Sequence, residues 1–342
     1  MPRARVPTLS IVTPFLADAN NGNWRTAARW ARLLAPDFRP IVQAADAPVA
    51  AGAAALVALH ARRSHGAIAA WRAAHPDRPV VVALTGTDLY RDVPAGDASA
   101  LASLAWADRL IVLQDDALAH VPAQFRAGAR VVCQSARTLA PWPGKSARRL
   151  HCVLVAHLRP EKDPETAFAA WRLLPRDVDA TLTVVGAALD ADLGRAARDL
   201  AAADPRVAWL GARPHAWTRQ AIKRAHLIVV PSRMEGGANV VVEAVTAGTP
   251  VLGSRMSGNV GMLGDDYPGW FPVGDPSGLA VLVARAARDR TFLAELAARC
   301  HARAPRFAPA AEARGLRHVV AEALAAARLR MPTSPLPPTG PR

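Results

Sequence analysis

Two glutamates flank a glycine pair in the stretch RMEGGANVVVEAVTAGTPVLGS, Arg233 to Ser254. The apolar run HLIVVPS before it reads as a buried strand, VVVEAVTAG reads as a helix ended by Gly248, and Arg233 to Asn239 form the loop between them. Gly236 and Gly237 allow a ligand close to the backbone. The N–H groups of Ala238, Asn239 and Val240 at the helix start lack helical partners, which suits a diphosphate. Glu235 and Glu243 would repel that diphosphate, so the partners expected for them are hydroxyls, which a carboxylate accepts two at a time. A ligand with both a diphosphate and vicinal diols is a nucleotide sugar. Glu243, in the helix, is expected to take the ribose diol, and Glu235, in the loop, hydroxyls of the sugar to be transferred.

Other loops carry charge in similar places. VLVAHLRPEKDPETAF sets His157, Arg159 and Lys162 between a strand and a helix with Pro164 in its first turn. Nearer the start, Asn20 to Asn23 separate a strand from a helix; Gly22 lets backbone approach the reacting end of the donor beside Asn23, and Arg25 follows in the first turn. ALHARRSHGA ends another strand with His60, Arg62 and Arg63, and ALTGTDLYRD ends a third with Thr85, Gly86, Thr87, Asp88 and Arg91. With its strand aligned in parallel, the His60, Arg62 and Arg63 cluster points toward the cleft.

The elements that must position these loops follow from hydropathy. Short apolar runs alternate with helical patterns: LSIVTPF, AALVALHA, VVVALTG, RLIVLQ and RVVCQS, then HCVLVAHL, TLTVVGA, RVAWLG, HLIVVPS and PVLGS. Runs so continuously apolar imply strands covered on both faces, hence parallel sheets in an α/β fold. The segment APWPGKSARR, Ala140 to Arg149, interrupts the rhythm as a linker. The expected organisation is one Rossmann-like doubly wound domain at 1–147 and a second at 148–308. A helix at 309–330 packs back across the junction, and a tail at 331–342 with five prolines lacks regular structure. Ligands of such sheets bind at the carboxyl ends of the strands, here between two facing domains.

Composition narrows the partners. The chain of 342 residues is 51% hydrophobic and 20% charged, without an apolar run long enough for a membrane span or signal peptide, so a cytoplasmic protein without stable membrane insertion is expected. A net charge of +14 favours an anionic ligand. The basic residues are scattered rather than interleaved with aromatics in one stripe, which favours a phosphate-bearing small molecule over nucleic acid. Cys133, Cys152 and Cys300 are odd in number and have no histidines at ligand spacing, so neither a disulfide framework nor a metal site is expected.

The stretch PSRMEGGANVVVEAVTAGTPVLGS resembles the donor-site signature of the retaining glycosyltransferases with two facing Rossmann-like domains, the GT-B fold. That resemblance implies a diphosphate grip at Lys162 and at His157, where the family usually has Arg, with Arg159 able to supply the charge. It also implies base recognition by the backbone of WLGARPH around Gly211. Lys162, Arg159 and the helix start near Ala238 would stabilise the leaving diphosphate, with Glu235 holding the sugar. Thr85 stands where these enzymes commonly have His, which argues against a generic sugar acceptor. More narrowly, NGNWRTAARWARLL, ALHARRS, VVALTGTDLYRD, ADRLIVLQ, VVCQSA and AHLRPEKDP together resemble the selenosugar synthases of selenoneine biosynthesis. This implies UDP-N-acetylglucosamine and selenophosphate as substrates, no cofactor, and partner enzymes that supply selenophosphate and use the selenosugar. Arg25, His60, Arg62, Arg63, Thr85 and Asp88 would be the acceptor groups.

Overall fold

The computed structural model describes residues 6–16, 22–50 and 52–330; Asn20, Asn21 and the tail at 331–342 lie outside them. Twelve described strands form two sheets of six, and every strand pair is parallel. The first sheet comprises β1 (Thr8–Thr13), β2 (Arg39–Ala44), β3 (Ala55–Leu59), β4 (Val80–Leu84), β5 (Arg109–Val112) and β6 (Ala129–Val131), in the order β2-β1-β3-β4-β5-β6. The second comprises β7 (Leu150–Val155), β8 (Ala180–Val185), β9 (Val207–Trp209), β10 (Leu227–Val230), β11 (Val251–Ser254) and β12 (Trp270–Phe271), ordered β12-β11-β10-β7-β8-β9. Both are doubly wound Rossmann-like sheets. β3, β4 and β10 are buried along their whole length, as strands covered by helices on both faces must be.

Two strands fall outside the expected set. β2, RPIVQA, is an edge strand that pairs only with β1, is half-buried over most of its length, and contains Pro40 and Gln43. An edge needs no continuous apolar run, and proline is tolerated there. β12 is only two residues long, too short to show a pattern.

Three helix starts in the second half are set by aspartates. Asp190 accepts from the N–H groups of Asp192 and Leu193, Asp275 from that of Gly278, and Asp289 from those of Thr291 and Phe292. Each side chain satisfies donors that the first helical turn leaves open.

Between β6 and β7, residues 132–149 form no helix or strand. The 22-residue helix Pro309–Arg330 lies against the first sheet rather than the second: Leu316, Val319, Val320 and Ala323 share a core with Leu9, Ile11, Trp30 and Val57. At its start Glu312, 1% exposed, accepts from Arg29 Nε at 2.8 Å, Trp30 Nε1 at 2.7 Å and Ser135 Oγ at 2.5 Å. A buried carboxylate with this many donors is tolerated, and it ties the last helix to the Gly22–Leu34 helix.

Candidate active site

The loop leaving β4 meets the loop leaving β10, so the carboxyl ends of the two sheets converge. An added Cβ on Gly86 (φ +140°) would lie 3.0 Å from Gly236 N; one on Gly236 would collide with the Thr85 carbonyl and sit 2.7 Å from Gly86 N. A Cβ on Gly237 would lie 2.6 Å from Leu113 Cβ. The glycine pair, expected to make room for a diphosphate, makes room here for the opposite domain. Close by, Tyr90 Oη accepts from Gln114 Nε2 at 2.7 Å and lies 3.1 Å from Ser257 Oγ across the boundary; burial pushes its pKa up to about 12.

The Asn239–Thr246 helix begins at this seam with Ala238 as its N-cap, and the Val242 N–H bonds back to the Ala238 carbonyl. From the first domain, Arg29 Nη1 reaches Asn239 Oδ1 at 3.3 Å, and a Cβ on Gly22 would be 3.7 Å from Asn239 Nδ2. Gly22 and the half-buried Asn23 thus begin their helix beside the start of the second-domain helix.

Lys162 and Glu235 are brought together from loops 73 residues apart, with Nζ 2.6 Å from Oε1. Ser232 Oγ donates to the same carboxylate oxygen at 2.7 Å. Glu235 is 8% exposed, and these groups border a cavity of about 20 Å³ that Ala156, Pro231 and Val240 also line. The preceding loop is braced by Asp163, which has φ +46° and accepts from Thr166 Oγ1 at 2.8 Å and Arg233 Nη2 at 3.0 Å. Arg159 is exposed beside Glu161, 4.0 Å away.

His157 Nδ1 accepts from the Ala187 N–H at 3.1 Å, which leaves the ring proton on Nε2 as a donor. Gly211, with φ +65°, accepts from the Gly186 N–H at 2.9 Å, so the loops after β7, β8 and β9 interlock. Glu243 is held by His215 Nε2, 2.6 Å from its Oε1.

The first-domain residues divide in their roles. Asp88 is fully buried; its carboxylate accepts from the N–H groups of Ala61 at 2.9 Å, Thr85 at 2.9 Å and Gly86 at 2.8 Å. Expected among the acceptor groups, it instead locks two loops together, because a buried carboxylate needs this many donors. His60, also expected to meet the acceptor, is 2% exposed, with φ +71°, Nε2 on Thr87 Oγ1 at 2.9 Å and Nδ1 accepting from the Arg63 N–H at 3.3 Å. Burial lowers its pKa, outweighing the opposing pull of Asp88, so at neutral pH it supplies no cation. Arg62 pairs with Asp97 at 2.9 Å, Arg63 is exposed over the Phe15 ring, and Arg25 and Thr85 are half-buried.

Ser232, Arg219 and Arg29 were not among the residues expected at the site, and His215 was expected there only through the backbone of WLGARPH. Ser232 and Glu235 carry the S-x-x-E spacing of a reciprocal cap, a signal present in the sequence. The others act across elements, which local spacing does not reveal. Among the described residues, no group of three or more His, Cys, Asp or Glu is placed to hold a metal ion, and no helix is long and apolar enough to cross a membrane.

Residues 143–307 match the family model described as Glycosyl transferases group 1. No curated protein matches the chain. Among solved structures, sucrose-phosphate synthase from Thermosynechococcus elongatus aligns with a TM-score of 0.77 at 16% identity, covering 94% of this chain and 100% of that one. Anabaena HepE in complex with UDP and glucose gives 0.71 at 16% identity, covering 92% and 99%. The apo lipopolysaccharide outer core galactosyltransferase WaaB gives 0.65 at 12% identity, also covering 92% and 99%. The chain thus has the GT-B arrangement of two Rossmann-like domains, and the match to the group 1 glycosyl transferase model spans residues 143–307.

Proposed function

We propose that this protein transfers a sugar from a UDP-sugar, UDP-N-acetylglucosamine, to selenophosphate, forming a C–Se bond. The observation that carries the donor half is the convergence of Lys162, Glu235 and the start of the Asn239–Thr246 helix, with Glu243 one turn further along that helix. A cation and helix N–H groups oppose the charge that develops on the leaving diphosphate; preorganised donors of this kind are each worth about 3 kcal/mol. The group 1 glycosyl transferase match across 143–307 supports the same reading, as do structural neighbours solved with UDP and with UDP-glucose.

The acceptor half rests on the resemblance of NGNWRTAARWARLL, ALHARRS and VVALTGTDLYRD to selenosugar synthases. Selenium attacks the anomeric carbon, the C–O bond to UDP breaks, and water then cleaves the Se–P bond to release phosphate and leave the 1-selenosugar. A selenium anion, like a thiolate, is already nucleophilic near neutral pH and requires positioning rather than a general base. Arg25 and Arg63 are the cations assigned to selenophosphate. The neutral His60 and the Asp97-paired Arg62 favour a second reading, a hydroxyl acceptor on a lipid, polysaccharide or small molecule.

The two readings separate when the protein is given UDP-N-acetylglucosamine with and without selenophosphate. Selenophosphate-dependent UDP release, with a selenosugar mass by mass spectrometry, is expected. UDP release indifferent to selenophosphate supports the hydroxyl acceptor.

A further inference from the structure

His215 and Arg219 stand one turn apart on the His215–Arg224 helix, and they hold Glu243 at both its ends. His215 Nε2 donates to the side-chain oxygen Oε1 at 2.6 Å, and Arg219 Nη1 donates to the Glu243 main-chain carbonyl at 2.5 Å. Arg219, 8% exposed, is itself anchored by Nη2 on the Arg137 carbonyl at 2.6 Å. The Glu243 side chain is 12% exposed, whereas that of His215 is 49% exposed and contributes little to any core.

Helix stability does not account for His215. It is the first residue of its helix, where the macrodipole gives a basic side chain nothing, and the packing of the helix falls to Thr218, Arg219 and Ile222. What the histidine does is fix a neighbouring carboxylate. We infer that His215 is a positioning residue for nucleotide recognition: it holds Glu243 in the rotamer in which Oε2 and the remaining lone pair of Oε1 meet the ribose 2′- and 3′-hydroxyls. This rests on the proposed role of Glu243 as the ribose group. A carboxylate has capacity for all three donors at once, so the histidine and the diol do not compete. Holding the rotamer beforehand removes an ordering cost that the nucleotide would otherwise bear. His215 directly follows the 211–214 loop, so groups beside the base and the ribose are linked through one residue.

Titration calorimetry tests this with UDP and with its 2′,3′-dideoxy analogue as probes. His215→Ala is expected to raise the UDP Kd by about threefold to tenfold, the range for one half-exposed hydrogen bond to a charged group, and to leave the dideoxy-UDP Kd unchanged. His215→Gln, whose amide N–H can reach the Nε2 position, is expected to restore UDP binding to within about twofold. Adding His215→Ala to Glu243→Ala should have no further effect. Equal losses for both nucleotides, or a UDP Kd unmoved or tightened by His215→Ala while Glu243→Ala weakens it, overturn the inference alone. A UDP Kd unmoved by Glu243→Ala overturns the ribose assignment, and the inference with it.

Discussion

Lys162 Nζ lies 2.6 Å from Glu235 Oε1, so a cation and a carboxylate with separate proposed partners, diphosphate and sugar, neutralise each other. With Glu235 8% exposed, this pairing leaves neither charge without a partner in the cleft.

Lys162→Ala should therefore act twice. It removes the cation proposed to stabilise the leaving diphosphate, lowering kcat by about 100-fold to 1000-fold, and it leaves the Glu235 carboxylate with the Ser232 hydroxyl but no cation, costing about 2 kcal/mol of stability. Steady-state kinetics and urea denaturation read the two effects separately. Glu235→Ala should lower kcat while shifting UDP affinity by less than about twofold; a large loss of UDP binding would reassign that carboxylate to the nucleotide.

Gly236→Ala tests whether the seam between domains must close for turnover. The backbone at Gly236 accepts alanine, but the added methyl collides with the Thr85 carbonyl of the opposite domain. Both domains should remain folded while the interdomain contact opens, giving a larger radius of gyration in small-angle scattering and about a 100-fold loss of kcat. Wild-type scattering and turnover would show that the contact is dispensable.

The pH dependence of stability has a definite sign. Burial sets the folded pKa of His60, and likewise that of His226, below the ordinary 6.5, so the unfolded chain binds more protons as the pH falls. Their contribution is fully present above about pH 7 and is lost as the pH drops through 6.5 toward the folded values. His60→Asn, with a side chain that tolerates the positive φ, should flatten part of that loss of Tm in scanning calorimetry between pH 7.5 and 5, leaving the part due to His226.

Glu312→Ala should be the most damaging single change in the returning helix. It takes the carboxylate from the Arg29 guanidinium, whose side chain is only 15% exposed, and leaves Trp30 Nε1 and Ser135 Oγ without their acceptor. A cost of about 3–5 kcal/mol in urea unfolding is expected, with Glu312→Gln costing less because one oxygen still accepts.

Much of the fold was readable because parallel strands buried on both faces leave unbroken apolar runs; VVVAL at β4 and LIVV at β10 have that form. The Pro309–Arg330 helix was equally clear, since proline at a first turn and a long alanine-rich run point to one element. β2 was not readable, because an edge strand carries Pro40 and Gln43 at no penalty. At the site, the strand-to-helix loops and both glutamates could be found from glycine and charge placement. The Lys162–Glu235 contact could not, because 73 residues separate the partners and only the packing order of β7 beside β10 brings them together. Asp88 and His60 look like ligand groups in a string of letters. Their burial, and the backbone donors that saturate Asp88, arise only when β3 and β4 lie side by side.

The returning helix also has a consequence for how the chain matures on the ribosome. The face of the first sheet formed by Leu9, Ile11 and Val57 is covered in part by Leu316, Val319, Val320 and Ala323, residues translated some 300 positions later. The amino-terminal half therefore emerges with an apolar surface that it cannot cover by itself, and it must wait through synthesis of the whole second half. That interval is when a nascent chain is most exposed to chaperones, and a message truncated just before Pro309 would yield a product with this surface permanently bare.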